Sequence, residues 1–476
     1  MPTNARAISR RDFLLESAVA VAAGTVLGLP SSAAAQEPQL CAPPPAGKPP
    51  IQFKPDSSLA ILPRKSGATL TTPEITRLRA AYKALRDLRT KDPSDPRGWM
   101  HQANVHCWNC GGGLKDTNAP EIHGGWLFLP WHRAYLYFHE RILAGLIGDP
   151  TFRLPYWDWD HAQRRTLPAA YATPANAGNS LFNPNRSAGA TQAAPSFLVG
   201  SQIMNGVMNA TSFAAFGGDE TAAGSIEGSP HGGVHIWVAD RTLQSARADM
   251  GLLSTAAQDP LFFTHHGNID RLWSVWNKSA KTHTNPTDKG WLSTAFTFYD
   301  ENKQWRSITV ADVLDHEQSL RYGFEQPGLK ESLTQARSSK LDVSGGTIRL
   351  PASFGPEAKT TAAAASSVAL ILDGVIIQDF PNGVIAFFDG NAELAKPTPQ
   401  SPGYLGYVAI VPRTSTGQAH RHPTARVALD LSTQLKRLAG RTELRLVGVS
   451  LSAGPETARK PVPLQVAAAE LVEVVS

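Results

Sequence analysis

The chain has 476 residues, 42% hydrophobic and 18% charged, with a formal net charge of +5. That length suits two domains, and that balance suits a globular protein with a large buried core, so a disordered chain is excluded. Lys and Arg are scattered rather than gathered into runs, which excludes an electrostatic nucleic-acid footprint.

The chain opens with Ser9-Arg10-Arg11-Asp12-Phe13-Leu14, then an apolar stretch from Ala18 to Leu29, then Ala33-Ala34-Ala35. A twin arginine followed by a short apolar stretch and small residues describes a twin-arginine export signal over 1–35, with the mature chain starting near Gln36. The stretch is too short and too interrupted by Gly to span a bilayer. The expected location is therefore periplasmic or secreted. Residues 36–65 are rich in Pro, lack a helical period and read as an extended arm. Residues 72–88 begin Thr-Pro-Glu and continue with apolar spacings of three and four, as a helix does. Residues 126–146 and 260–276 are apolar and aromatic at the same spacing. Between them, 165–230 is dominated by Ala, Gly, Ser, Asn and Pro and reads as long loops with short helices.

Beyond residue 329 the pattern changes. Short β-branched runs at 368–377, 383–388, 404–411, 425–431, 442–451 and 462–473 are separated by Gly, Pro, Asn and Asp. They predict an antiparallel β-sandwich, with the Ala-rich stretch 357–367 as a loop. The expected organisation is a mainly α domain over 36–324, a polar connection over 325–340 and a β-rich domain over 341–476.

The histidines fall into two groups. The first is His106, His123 and His132, where Pro130 lets His132 sit in the first turn of a helix. The second is His231 and His235 in His231-Gly232-Gly233-Val234-His235, followed by the pair His265-His266. A spacing of four places His231 and His235 on one helix face, able to share a metal ion, and a third imidazole completes the set. Two such sets imply two metals, and imidazole-only ligation suits copper or zinc rather than magnesium or calcium. His101 and His139 read as packed or hydrogen-bonded residues, and His420 and His422 as a solvated loop.

These runs resemble the tyrosinase family, especially its plant-type polyphenol oxidases. The likeness is carried by Ala103 through Cys110, His123 through Glu140, Leu154-Pro155-Tyr156-Trp157-Asp158-Trp159-Asp160, Gly224 through Trp237 and Asp259 through Trp273. The segment from Gly290 to Tyr322, and the strands after Lys340-Leu341-Asp342-Val343, are similar to the later parts of those enzymes. The resemblance implies a four-helix bundle holding two copper ions. One copper takes His106, His123 and His132; the other takes His231, His235 and the second member of the pair, His266, with His265 as a neighbour. It also implies O2 as co-substrate and oxidation of o-diphenols to o-quinones. Glu227 matches the acidic residue that holds a water and assists phenol deprotonation. Gly232 stands where good monophenol hydroxylases often carry Asn, so diphenol oxidation is the expected activity. Leu253, in place of a Phe gate, together with Gly232 and Ile236, is expected to line the substrate pocket. Cys41 and Cys107 match a disulfide, and Cys110 a thioether to His123. The C-terminal domain is expected to hold the enzyme latent, with Tyr404, Leu405 or Tyr407 as plug.

Two other functions fit a dicopper histidine site: an O2 carrier of the haemocyanin kind and an o-aminophenol oxidase. A dinuclear zinc hydrolase is disfavoured because neither histidine motif contains a carboxylate. Small phenols are the expected partners, with a homo-oligomer left open.

Overall fold

The computed structural model describes Cys41, residues 49–112, 122–239 and 249–325 except 187, 188, 190 and 252, and beyond 335 the strands, one short helix and adjoining turns. Residues 1–36, where an export signal and its cleavage are expected, and His420 and His422 lie outside these residues. Everything described belongs to one compact unit, 37–476. Among the described residues no helix is long and apolar enough to cross a membrane.

The first long helix, Thr72–Lys91, starts where the sequence indicates, because Thr71 and Glu74 close a capping box and Pro73 lies in the first turn. Its buried stripe of Leu78, Ala81, Tyr82 and Leu85 lies along the helix Phe128–Ile147. That second helix ends at Gly148, whose φ of +63° favours a residue without Cβ. It packs in turn on the helix Leu261–Ser279, in which every residue from Leu261 to Trp276 is buried. A helix buried on all sides is a core element, so its polar residues must find partners inside the protein.

They do so in an ion network. Asp270 accepts from Arg133 at 2.6 Å and Arg64 at 3.0 Å, and from the Tyr322 hydroxyl at 2.5 Å. Arg64 also donates to Glu140 at 2.9 Å and lies 3.7 Å from the Tyr322 ring centre. Arg271 holds Asp160 at 2.6 Å. The Pro-rich arm delivers Arg64. Over its described residues 49–65 it is extended, and its strands Ile51–Gln52 and Leu62–Arg64 pair in parallel with Trp305–Thr309 and Tyr322–Phe324.

The C-terminal half is an antiparallel sandwich, as the strand pattern indicated. In one sheet Ala365–Ile376 lies between Thr424–Asp430 and Ala468–Val475, and Ala336–Leu341 forms an edge. The other sheet is built on Gly383–Asp389, Tyr404–Ile410 and Glu443–Ser450. Strand periodicity sorts the side chains. Val368, Leu370, Leu372, Val427, Leu429, Ala469 and Leu471 face the sandwich interior. Their neighbours Ala369, Ile371, Ala428 and Val472 join the core of the helical half. Both faces are covered, which is why these strands alternate only in part between apolar and polar residues.

Three boundaries differ from the sequence reading. Residues 336–340, expected in the connection, are strand because Ala336–Leu341 pairs with Ala468–Val475. Residues 365–367, expected in a loop, begin the strand Ala365–Ile376, where pairing outweighs the low strand propensity of Ala and Ser. The single run 462–473 is two strands, Val462–Pro463 and Ala468–Val475, which pair in different sheets.

The two halves meet at close range. The helix Ser201–Met208, from the loop-rich region, lies against the four-stranded sheet. A Cβ on Gly206 would come within 2.5 Å of the Ile371 side chain. The strand Thr424–Asp430 lies along the turn Glu227–His231, where the Ala428 N–H donates to Ser229 Oγ at 2.7 Å.

Candidate metal centre

Each histidine of the two groups is placed by an element of the helical half. His106 is in the last turn of the helix Trp99–Cys107, whose final residue is disulfide-bonded to Cys41 with a Cα separation of 4.9 Å. His123 lies in the irregular segment before the helix Phe128–Ile147, and His132 in that helix's first turns, after Pro130. His231 closes the π-helical turn Glu227–His231, and His235 stands four residues on in Gly232–Ala239. His265 and His266 are carried by Leu261–Ser279.

Folding gathers them into two clusters, with candidate ligand atoms in each within 4.8 Å of one another. One is His106, His123 and His132. The other is His231, His235, His265 and His266. His265, expected only as a neighbour, thus stands inside the second cluster. Adjacent helix residues are 100° apart around the axis, so sequence favours choosing one of the pair, yet packing brings both rings to the site. His266 joins the clusters: its ring stacks on His132 at 4.1 Å and 7°, and its Nε2 is 3.3 Å from His235 Nε2.

The ring nitrogens divide by role. Nδ1 of His106, His132 and His235 each lies 2.8 Å from a backbone carbonyl, those of Leu253, Phe128 and Met250. A carbonyl only accepts, so these Nδ1 atoms carry the proton and Nε2 keeps its lone pair. Among the described residues the buried Nε2 atoms of His106, His132, His231 and His265, and His266 Nδ1, have no hydrogen-bond partner. Each such atom costs roughly 1–3 kcal/mol, and metal ligation would recover it at Nε2 of His106, His132 and His231. Burial also keeps the rings neutral: it holds His106 down at about 3 and His235 at about 4, and it lowers His132, His231 and His266 as well. Neutral imidazoles with free lone pairs, and no carboxylate in either cluster among the described residues, suit copper. His265 differs in that its Nδ1 accepts from the Trp159 indole N–H at 3.1 Å.

Glu227 stands beside the clusters. Its Oε1 accepts from Gly124 N–H at 2.7 Å, and among the described residues its buried Oε2 has no partner. Burial pushes this carboxyl up to about 8, against the opposing pull of the Gly124 and Gly125 amides. Gly124, next to His123, has a φ of +80°, a conformation that favours glycine. Gly232 is buried at the start of the His235 helix. Leu253 is 1% exposed, packs against the buried Cys110 and gives its carbonyl to His106. Cys110 lies in the π-helical turn Trp108–Gly112, and its thiol donates to the Cys107 carbonyl at 3.1 Å. The Ile236 side chain lies outside the described residues.

His101 and His139 stand apart from both clusters. His101 Nε2 is 3.3 Å from the Pro93 carbonyl, and His139 lies between Gln102 and Tyr82, stacked on Phe263 at 3.6 Å. Asp270 and Arg271 serve the ion network. Sequence reasoning missed the carbonyls of Met250 and Leu253, because a backbone acceptor leaves no residue-type signature. The His265-His266 doublet was itself the only signal for the fourth ring.

The common central domain of tyrosinase matches residues 95–193 and 175–279, and the polyphenol oxidase middle domain matches 285–332. The chloroplastic polyphenol oxidase of Malus domestica is 39% identical over 266 residues, which are 49% of this chain and 44% of that protein. The chain spans about half the length of the curated relatives it matches. The structure of latent apple tyrosinase aligns with 90% of this chain and 97% of its own at a TM-score of 0.59 and 24% identity, a likeness of fold. The crystal structure of Grenache (Vitis vinifera) polyphenol oxidase aligns at 32% identity and a TM-score of 0.54, over 63% of this chain and 94% of its own. With nearly all of that relative matched, and two histidine clusters that imply a dicopper site, the chain belongs to the tyrosinase and polyphenol oxidase family of type-3 copper proteins.

Proposed function

We propose that this chain is a copper-dependent polyphenol oxidase that uses O2 to oxidise o-diphenols to o-quinones. The observation that carries it is the meeting of two buried clusters of neutral imidazoles, joined through His266, with their lone-pair nitrogens turned to one another. In this reading one copper is held by His106, His123 and His132 and the other by His231, His235 and His266. The copper pair supplies the electron exchange in which two diphenols each lose two electrons and two protons while one O2 becomes two waters. Met250, Leu253 and Phe128 fix the tautomer of three ligands through their carbonyls. Glu227 holds a water or accepts a phenolic proton on its unpartnered oxygen, a task suited to a carboxyl raised to about 8. Gly232 has no side chain to orient that water, which favours diphenol oxidation over monophenol hydroxylation. Leu253 and Ile236 would border the substrate with it.

The purified chain should hold two coppers and consume O2 with a catechol faster than with the matching monophenol. Two coppers with reversible O2 binding and no turnover would replace this reading with an O2 carrier. Faster turnover of o-aminophenols than of catechols would move the substrate class.

Three further parts belong to the same reading. Residues 1–35 export the folded protein by the twin-arginine route. A cytoplasmic product after Arg10→Lys with Arg11→Lys is the expected result, and unchanged export would remove that part. Cys110 is joined to His123 by a thioether. The domain from about 341 to 476 shields the site. Support for shielding comes from the strands Thr424–Asp430 and Tyr404–Ile410, which run beside the turn Glu227–His231. Of the plug candidates, Leu405 packs in the sandwich's own core, and the side chains of Tyr404 and Tyr407 lie outside the described residues.

A further inference from the structure

We propose that Asn183, Asn185 and Asp249 form a brace that positions one ligand of each copper at the same time. The inference rests on the dicopper reading above and concerns residues that touch neither cluster.

A single short segment serves both clusters. The Met250 carbonyl takes the Nδ1 proton of His235, in the second cluster, and the Leu253 carbonyl takes that of His106, in the first, both at 2.8 Å. The partner on Nδ1 sets the rotation and basicity of a ligating imidazole. Two carbonyls three residues apart on one segment therefore set two rings relative to each other, and with them the relative placement of the two metals. A shift of the segment would disturb both sites together.

The segment is held at its head. Asp249 Oδ2 accepts from Asn183 Nδ2 at 2.6 Å and from Asn185 Nδ2 at 3.2 Å, and the Asp249 carbonyl accepts from Thr255 Oγ1 at 3.1 Å. Asn183 is itself fixed, since its Oδ1 accepts from the Asn185 N–H at 2.9 Å. The next residue extends the brace to a third ligand. Arg186 grips Asp259 with two hydrogen bonds at 2.8 and 2.5 Å, and Asp259 Oδ1 accepts from Leu261 N–H at 2.9 Å. Leu261 starts the helix that carries His266. Asn183-Pro184-Asn185-Arg186, from the loop-rich stretch between the histidine motifs, thus reaches both clusters through their supports. Asn183, Asn185 and Asp249 are positioning residues, acting through Met250 and Leu253.

The test reads metal rather than turnover, in the full chain. Copper retention under chelator competition is measured together with the electron paramagnetic resonance of the oxidised, copper-loaded protein, in which a coupled pair is silent and separated Cu(II) ions are not. Asp249→Ala should weaken both coppers together, by roughly 10–100-fold as for other ligand-orienting partners, and should give a Cu(II) signal. Asp249→Asn, whose amide oxygen still accepts both N–H groups, should keep a silent pair. If Asp249→Ala does not fold, Asn185→Ala, which removes one of the two donors, should give a smaller loss of the same kind. The proposal is overturned if the loosening variants keep a tight, silent pair, if they lose one copper while the other is unaffected, or if Asp249→Asn fails as badly as Asp249→Ala. A chain that holds two coppers yet oxidises no catechol would sink the oxidase reading and leave the brace standing.

Discussion

His265 and His266 differ by one position and by what surrounds each ring. His266 Nε2 lies 3.3 Å from His235 Nε2 and its ring stacks on His132, whereas His265 Nδ1 already takes the Trp159 N–H. His266→Ala should therefore lose one copper and nearly all oxidase activity. His265→Ala should keep both coppers and lose about 1–3 kcal/mol of stability, since the buried indole N–H loses its acceptor. Metal analysis and a melting curve on the two variants decide it; the reverse pattern would exchange their roles. A second test at this scale counts thiols. With Cys41 and Cys107 in a disulfide and Cys110 joined to His123, the denatured and fully reduced mature chain should titrate two thiols. Three would rule out the thioether. The two histidine groups were legible because histidine spacing is a side-chain pattern. The preference for Nε2 was not, because it is set by backbone carbonyls, which carry no residue-type signature.

Among the elements, the helices Phe128–Ile147 and Leu261–Ser279 each carry both a histidine of the clusters and a charge of the ion network. Asp270→Ala would leave Arg64 and Arg133 buried without their shared carboxylate. Breaking a buried ion pair from one side costs roughly 3–5 kcal/mol, so chemical denaturation should show a loss of that order. An unchanged midpoint would mean that the network contributes nothing. The same carboxyl sets an acid dependence. Burial alone would raise Asp270, but Arg133 and Arg64 hold it below its ordinary 3.8. Its contribution is therefore complete above the unfolded value and is lost as pH falls through the lowered folded one, and Asp270→Ala should flatten that limb of the stability curve. Periodicity showed these helices, and also the strands. It did not show that Arg64, from an extended arm, meets Asp270 some two hundred positions later, since nothing local encodes that meeting.

For the whole molecule the decisive feature is that the sandwich is covered on its outer face by the helical half. Ala369, Ile371, Ala428 and Val472 share a core with the helices, and Ser229 accepts the Ala428 N–H beside Glu227 and His231. Cutting near residue 335 alone should leave the tail bound, because that apolar contact survives without the connection. Cutting followed by mild detergent should raise catechol turnover several-fold with no gain of copper. An unchanged rate on small catechols after the tail is separated would show that it is no lid.

Local sequence suffices for the two-part architecture and for the two histidine groups that folding gathers into clusters. Apolar period, turn residues and histidine spacing are local, and each acts through its own few neighbours. Packing alone brings His265 into the second cluster and sets the Met250 and Leu253 carbonyls against rings of both. It likewise decided that the tail seats its strand backbone against the turn carrying Glu227 and His231. Those outcomes depend on which distant surfaces pack together and which carbonyls are left without a partner of their own. Such properties belong to the folded chain as a whole and to no stretch of it taken singly.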